Sequence, residues 1–199
     1  FGVYAVSSVV LIRFFVLQYG RSSFGLIALA GILTQFVGLI SGCVGTSVAR
    51  FLNVALNKND WHQANEIFST SIVANLGFIG LQLPLFALGV WKLDWLIDFP
   101  EEIATDFRIL VVCNIAVFVL NIVKGAIFAP IQAANRIDIN EKFDIVAQLI
   151  RLILLFGLIS QIGAKLWIIG AVELGVSVLV GMAGLVVYKR LVGHMLVFR

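Results

Sequence analysis

Four ionisable residues, Arg13, Lys124, Arg151 and Glu173, stand inside runs of aliphatic and aromatic residues that otherwise avoid charge. In an apolar setting a basic side chain seeks an anion, and a carboxylate seeks a cation, a proton or water. Lys124 lies in FVLNIVKGAIFAP (Phe118–Pro130) and Arg151 in QLIRLILLFGLI (Gln148–Ile159). Neither is alone on its segment if the segment is helical. Asn114, Asn121 and Lys124 are spaced to share one face, and Asp144, Gln148 and Arg151 are spaced to share another. Such polar stripes suit helices that line a hydrated cavity, or helices joined to each other by hydrogen bonds.

The rest of the chain defines the solvent around those charges. The 199 residues are 61% hydrophobic and 13% charged, with a mean hydropathy of +1.06. Soluble domains carry about 25% charged residues. A water-soluble core cannot hide this much apolar surface, so a bilayer must solvate most of the chain. The formal charge of +3 is scattered, with no basic tract and no aromatic residues interleaved with basic ones, so nucleic acid is not an expected partner. Cys43 and Cys113 sit in apolar runs without metal-ligand spacing and read as small packing residues. No metal site, cofactor or catalytic residue is expected. Residues 1–17 lack a basic start and are interrupted by Arg13, so they do not read as a signal peptide. The chain opens on Phe1 within an apolar run and ends on YKRLVGHMLVFR, which suggests truncation at both ends.

A spanning helix needs about 20 apolar residues. Six such runs are expected, over residues 1–18, 23–48, 66–91, 107–129, 145–162 and 166–188. The fold class is therefore all-α, a polytopic membrane helix bundle. Asp60 followed by Gln63 makes a capping-box-like start before the third span. Glu101 and Glu102 behind Pro100 suit a helix first turn, Pro130 is placed to close the fourth span, and Pro84 should kink the third. With residue 1 on the cytoplasmic side, the inner segments hold Arg50, Lys58, Arg136, Lys142, Lys189, Arg190 and Arg199. The outer segments hold Arg21, Lys92, Arg108 and Lys165, so the basic residues favour this orientation.

Depth separates the embedded charges. At 1.5 Å per residue, Lys124 and Arg151 lie about 8–9 Å from the inner boundary, within reach of water by snorkelling. Glu173 lies about 10 Å from the start of the sixth span, too deep for a short side chain to escape. Arg13, in the same outer half, is its expected partner, and ion coupling is the alternative role. Gly31, Gln35, Gly38, Gly42 and Gly45 form a small-residue stripe on the second span, and Gly170, Gly181 and Gly184 form one on the sixth. Both indicate close helix approach.

Three stretches carry a family likeness. QYGRSSFGLIAL (Gln18–Leu29), TSVARFLNVALNKNDWHQANEIFSTS (Thr46–Ser71) and AANRIDINEKFDI (Ala133–Ile145) resemble the polysaccharide flippases, the O-antigen and exopolysaccharide repeat-unit translocases. These belong to the superfamily that also holds multidrug extruders and lipid II flippases. The resemblance implies that residues 1–199 are the N-terminal six-helix lobe of a MATE-like transporter, with a C-terminal lobe completing the cavity. It further implies movement of undecaprenyl-pyrophosphate-linked oligosaccharides from the inner to the outer leaflet of a bacterial cytoplasmic membrane. The pyrophosphate-binding candidates carried over by region and charge are Arg13, Arg50, Lys124 and Arg151, with Asn114, Asn121 and Gln148 as polar cavity residues. Implied partners are the lipid-linked glycan, membrane lipids, a coupling H+ or Na+, and polysaccharide assembly proteins.

Other classes remain open. A drug or cation antiporter of the same superfamily should carry acids in this lobe, and only Glu173 fits. A membrane glycosyltransferase or polymerase would use the outer acids Asp94, Asp98, Glu101, Glu102 and Asp106, which contain no Asp-x-Asp. A solvated loop entering a helix explains those acids more simply, and the chain is not expected to be an enzyme. A passive scaffold would not require polar stripes at membrane depth.

Overall fold

The computed structural model describes residues 2–58, 60–96, 101–133 and 137–191, without the side chains of some helical residues, among them 33–46 and 129–138. Every element is helical: α1 (Gly2–Asn57), α2 (Trp61–Trp91), the single turn α3 (Leu93–Leu96), α4 (Glu101–Ala133), α5 (Ile137–Ile162) and α6 (Leu166–Leu191). Four stretches are long and apolar enough to cross a membrane, namely Trp61–Trp91, Ile103–Gly125, Glu141–Ile162 and Leu166–Lys189. The first two expected spans both fall on α1, where Leu11–Gly20 and Ser23–Ile32 are shorter apolar stretches. The chain is a multi-pass membrane helix bundle.

Local chemistry explains the breaks. Gly20 divides α1 at φ 78°, ψ 169°, a backbone conformation essentially reserved for glycine. The Asp60 carboxylate accepts from the Gln63 backbone N–H at 3.0 Å and caps α2. Only half of a capping box forms, because the Asp60 N–H donates to the Ala55 carbonyl instead. α4 begins at Glu101, behind Pro100, which lies outside the described residues. Pro130 does not close this helix, which continues to Ala133. A proline removes one donor, and a membrane bundle can absorb that loss without ending the helix. α2 likewise passes through Pro84.

α4 and α6 form the centre of the bundle and pack most extensively. At Gly170, an added Cβ would stand 2.8 Å from the Cys113 Cβ and 3.2 Å from the Leu110 Cα. At Gly184 it would stand 2.5 Å from the Phe128 ring. These two glycines set the α4–α6 approach. Gly181 does not, since a Cβ there meets open space. Gln35, Gly38, Gly42, Gly45 and Cys43 lie outside the described side chains, and a Cβ at Gly31 also meets nothing.

Apolar clusters fasten the other helices to this pair. Phe15 of α1 packs with Leu155 and Ile159 of α5 and with Ile168, Val172 and Val176 of α6. Ala30 joins Phe107, Leu110 and Leu166, while Leu52 and Ala55 join Ala64, Phe68 and Phe128. The Tyr19 hydroxyl donates to the Lys165 carbonyl at 3.0 Å, tying the Gly20 turn to the α5–α6 connection. Outside the bundle, Val73, Leu76, Leu81, Leu85 and Leu88 of α2 are exposed. That apolar surface faces the hydrocarbon of a bilayer at no cost, whereas water would penalise it.

Candidate functional site

The polar stripes on α4 and α5 converge with one on α6. Along α6, Glu173, Ser177 and Val180 share a face, being spaced by four and three residues. Opposite them α4 presents Asn121 and Lys124, and α5 presents Glu141, Asp144, Gln148 and Arg151. Between the three helices lies a cavity of about 440 Å³. At about 30 Å³ per molecule of liquid water, it has room for more than a dozen.

An ion pair crosses the cavity's deep end. Arg151 Nη2 donates to Glu173 Oε1 at 2.7 Å, and its Nη1 donates to Gln148 Oε1 at 3.1 Å. Gln148 is buried, and the two charged side chains are 31% and 27% exposed. Arg151 Nε is buried without a hydrogen-bond partner, so one of the guanidinium's five donors is both buried and unused. On the α4–α6 side, Ser177 Oγ donates to Asn121 Oδ1 at a long 3.5 Å. Lys124 is half-buried and within electrostatic reach of Glu173.

Glu173 pairs with Arg151, not with Arg13 as its depth suggested. From the Ile162 end of α5, Arg151 is 11 residues in, and from the Leu166 end of α6, Glu173 is seven residues in. Their backbones thus differ in depth by only about 6 Å, a gap two extended side chains can bridge. Arg13 is exposed on α1, as is Arg50, and neither lines the cavity. Arg151 therefore does not snorkel to the membrane surface. Asn114 is half-buried on α4 and is also outside the cavity wall.

The structure changes the charge balance. Sequence depth counted three bases against one acid, but the described residues that line the cavity include two bases, Lys124 and Arg151, and three acids, Glu141, Asp144 and Glu173. Asp144 belongs to the α5 stripe of the sequence, and Glu141, seven residues before Gln148, extends that face by one more turn. Ser177 was legible too, one turn below Glu173. Among the described residues, no group of three His, Cys, Asp or Glu is placed to hold a metal ion.

Comparison with known proteins yields one relative to set beside this geometry. The chain is 24% identical over 185 residues to a Bacillus subtilis (strain 168) protein described as "Uncharacterized membrane protein EpsK". The aligned region covers 93% of this chain and 37% of that protein, so the chain spans little more than a third of its relative. No family model matches the chain, and no solved structure matches it.

Proposed function

We propose that the chain forms part of a polysaccharide flippase that moves lipid-linked oligosaccharide across a bacterial cytoplasmic membrane, without catalysing a covalent step. The observation that carries this reading is the polar cavity between α4, α5 and α6, bounded by helices whose outer faces are apolar. An amphipathic glycolipid needs a wet path for its head and hydrocarbon for its tail, and this arrangement offers both. Likeness to the flippases along three stretches of sequence supports the reading, as does similarity to a membrane protein named EpsK. Arg13 and Arg50 are exposed and remain candidates for a pyrophosphate outside the cavity. Lys124 is the cavity's cation with no carboxylate at ion-pair distance among the described residues.

The test is made in cells carrying the full-length gene. Asn121→Leu with Ser177→Leu would narrow the cavity and strip two polar groups from its wall. The expected result is accumulation of lipid-linked glycan on the inner leaflet at normal membrane levels of the protein. Lys124→Ala with Arg151→Ala should do the same, by taking two polar groups from the wall and leaving Glu173 without its ion-pair partner. Unimpaired export with both pairs would sink the proposal. The three cavity carboxylates favour one second reading, a cation or drug antiporter. It predicts intact glycan export and lost resistance to organic cations in the same variants.

A further inference from the structure

The cavity's charge and lining say which part of a glycolipid head it can hold. Arg151 is already committed to Glu173 at 2.7 Å, so that pair contributes little net charge. What remains among the described residues is Lys124 against Glu141 and Asp144, a net of one negative charge. Both of those carboxylates are exposed, and no hydrogen bond or ion pair of theirs is present among the described residues. A pyrophosphate brought here would replace water with a field of its own sign, which costs free energy.

The rest of the wall is built for hydroxyl groups. Asn121 and Ser177 offer both donors and acceptors, and the two open carboxylates can accept from neighbouring hydroxyls of one sugar ring. Among the described residues no aromatic side chain lines the cavity, so they do not supply the flat apolar surface that pockets for organic cations use. Weak hydrogen bonding without stacking also suits a passage, where a tightly held head would not leave.

We propose that the α4–α5–α6 cavity takes the uncharged, hydroxyl-rich sugar portion of a lipid-linked glycan and turns anionic groups away. The pyrophosphate is then carried outside this cavity. This inference rests on the flippase reading and narrows it.

The experiment reads the sign of the field directly. Full-length protein in lipid nanodiscs carries Ser177→Cys or, in a second variant, Asn121→Cys, with wild-type labelling subtracted for Cys43 and Cys113. Each thiol is reacted with a cationic and an anionic methanethiosulfonate, and both rates are normalised to a free thiol. The cationic reagent should react faster by about tenfold, as expected for a net charge of one at this range in a wet cavity. Glu141→Gln with Asp144→Asn should bring the two rates together. Maltotriose should slow labelling, and inorganic pyrophosphate should not. A faster anionic reagent, or protection by pyrophosphate alone, overturns the inference and leaves the flippase reading standing. Protection by tetraphenylphosphonium but by neither other probe overturns both. Failure of both cysteines to label would show a dry cavity and has the same consequence.

Discussion

Arg151 is held from two directions, by Glu173 on a neighbouring helix and by Gln148 one turn earlier on its own. Removing one partner of such a pair leaves the other charge without a counterion, which costs more than the pair itself contributes. Arg151→Leu or Glu173→Leu alone should destabilise the protein by about 2–3 kcal/mol, below the fully buried range because both side chains retain some water. The double variant should recover most of that loss. Thermal unfolding in detergent checks this, and a double variant as unstable as the sum of the singles would contradict it. The same residues limit what sequence could reveal. That Glu173 needs a cation follows from its depth alone. Which cation it finds depends on how α5 and α6 are rotated about their axes, and an apolar run with little amphipathic pattern does not encode that rotation. Arg13 was chosen on depth and lost to Arg151 on direction.

Helices and their junctions follow more directly from local chemistry. The starts of α2 and α4 were legible in Asp60 and in the paired glutamates at Glu101, because capping depends on nearest neighbours. Asp60→Ala should cost about 1 kcal/mol, read as a lower unfolding temperature. Gly20 is the stricter case. At φ 78°, ψ 169°, any Cβ is strained even though the space around it is open, so Gly20→Ala should cost about 1–3 kcal/mol. The small-residue stripe on α6 was legible as a stripe, but the structure divides its members. Gly170→Ala would press on the Cys113 Cβ and the Leu110 backbone, forcing α4 and α6 apart at about 1–3 kcal/mol. Gly184→Ala meets only the Phe128 ring, so Phe128→Leu should rescue it in part and should not rescue Gly170→Ala. Gly181→Ala should be close to neutral. Unfolding temperatures of the three single glycine variants and the two combinations with Phe128→Leu separate these cases. Equal losses at the three glycines would show that the α4–α6 spacing is set elsewhere.

At the scale of the whole molecule, the tryptophans mark where the bilayer begins and ends. Trp61 and Trp91 stand at opposite ends of α2 and both are exposed, with Trp95 on α3 beside the second. Thirty residues of helix separate them by about 45 Å, close to the thickness of a bilayer with its headgroups. Tryptophan gathers at those two interfaces because its ring is apolar and its N–H needs a partner. Lys92 sits with its Nζ 5.1 Å from the Trp91 ring, keeping its charge at the same level. Thickness leaves orientation undecided, and there the basic residues argue. Arg50, Lys58 and Lys142 lie toward the Trp61 end, and Lys92, Arg108 and Lys165 toward the other, with further basic residues in the sequence favouring the Trp61 side. On this reasoning Lys58 is expected to face the cytoplasm and Lys92 the exterior. Lys58→Cys should label with a membrane-impermeant maleimide only after the cells are opened, and Lys92→Cys should label in intact cells. The reverse pattern would place the Glu141–Asp144 mouth of the cavity on the outer face.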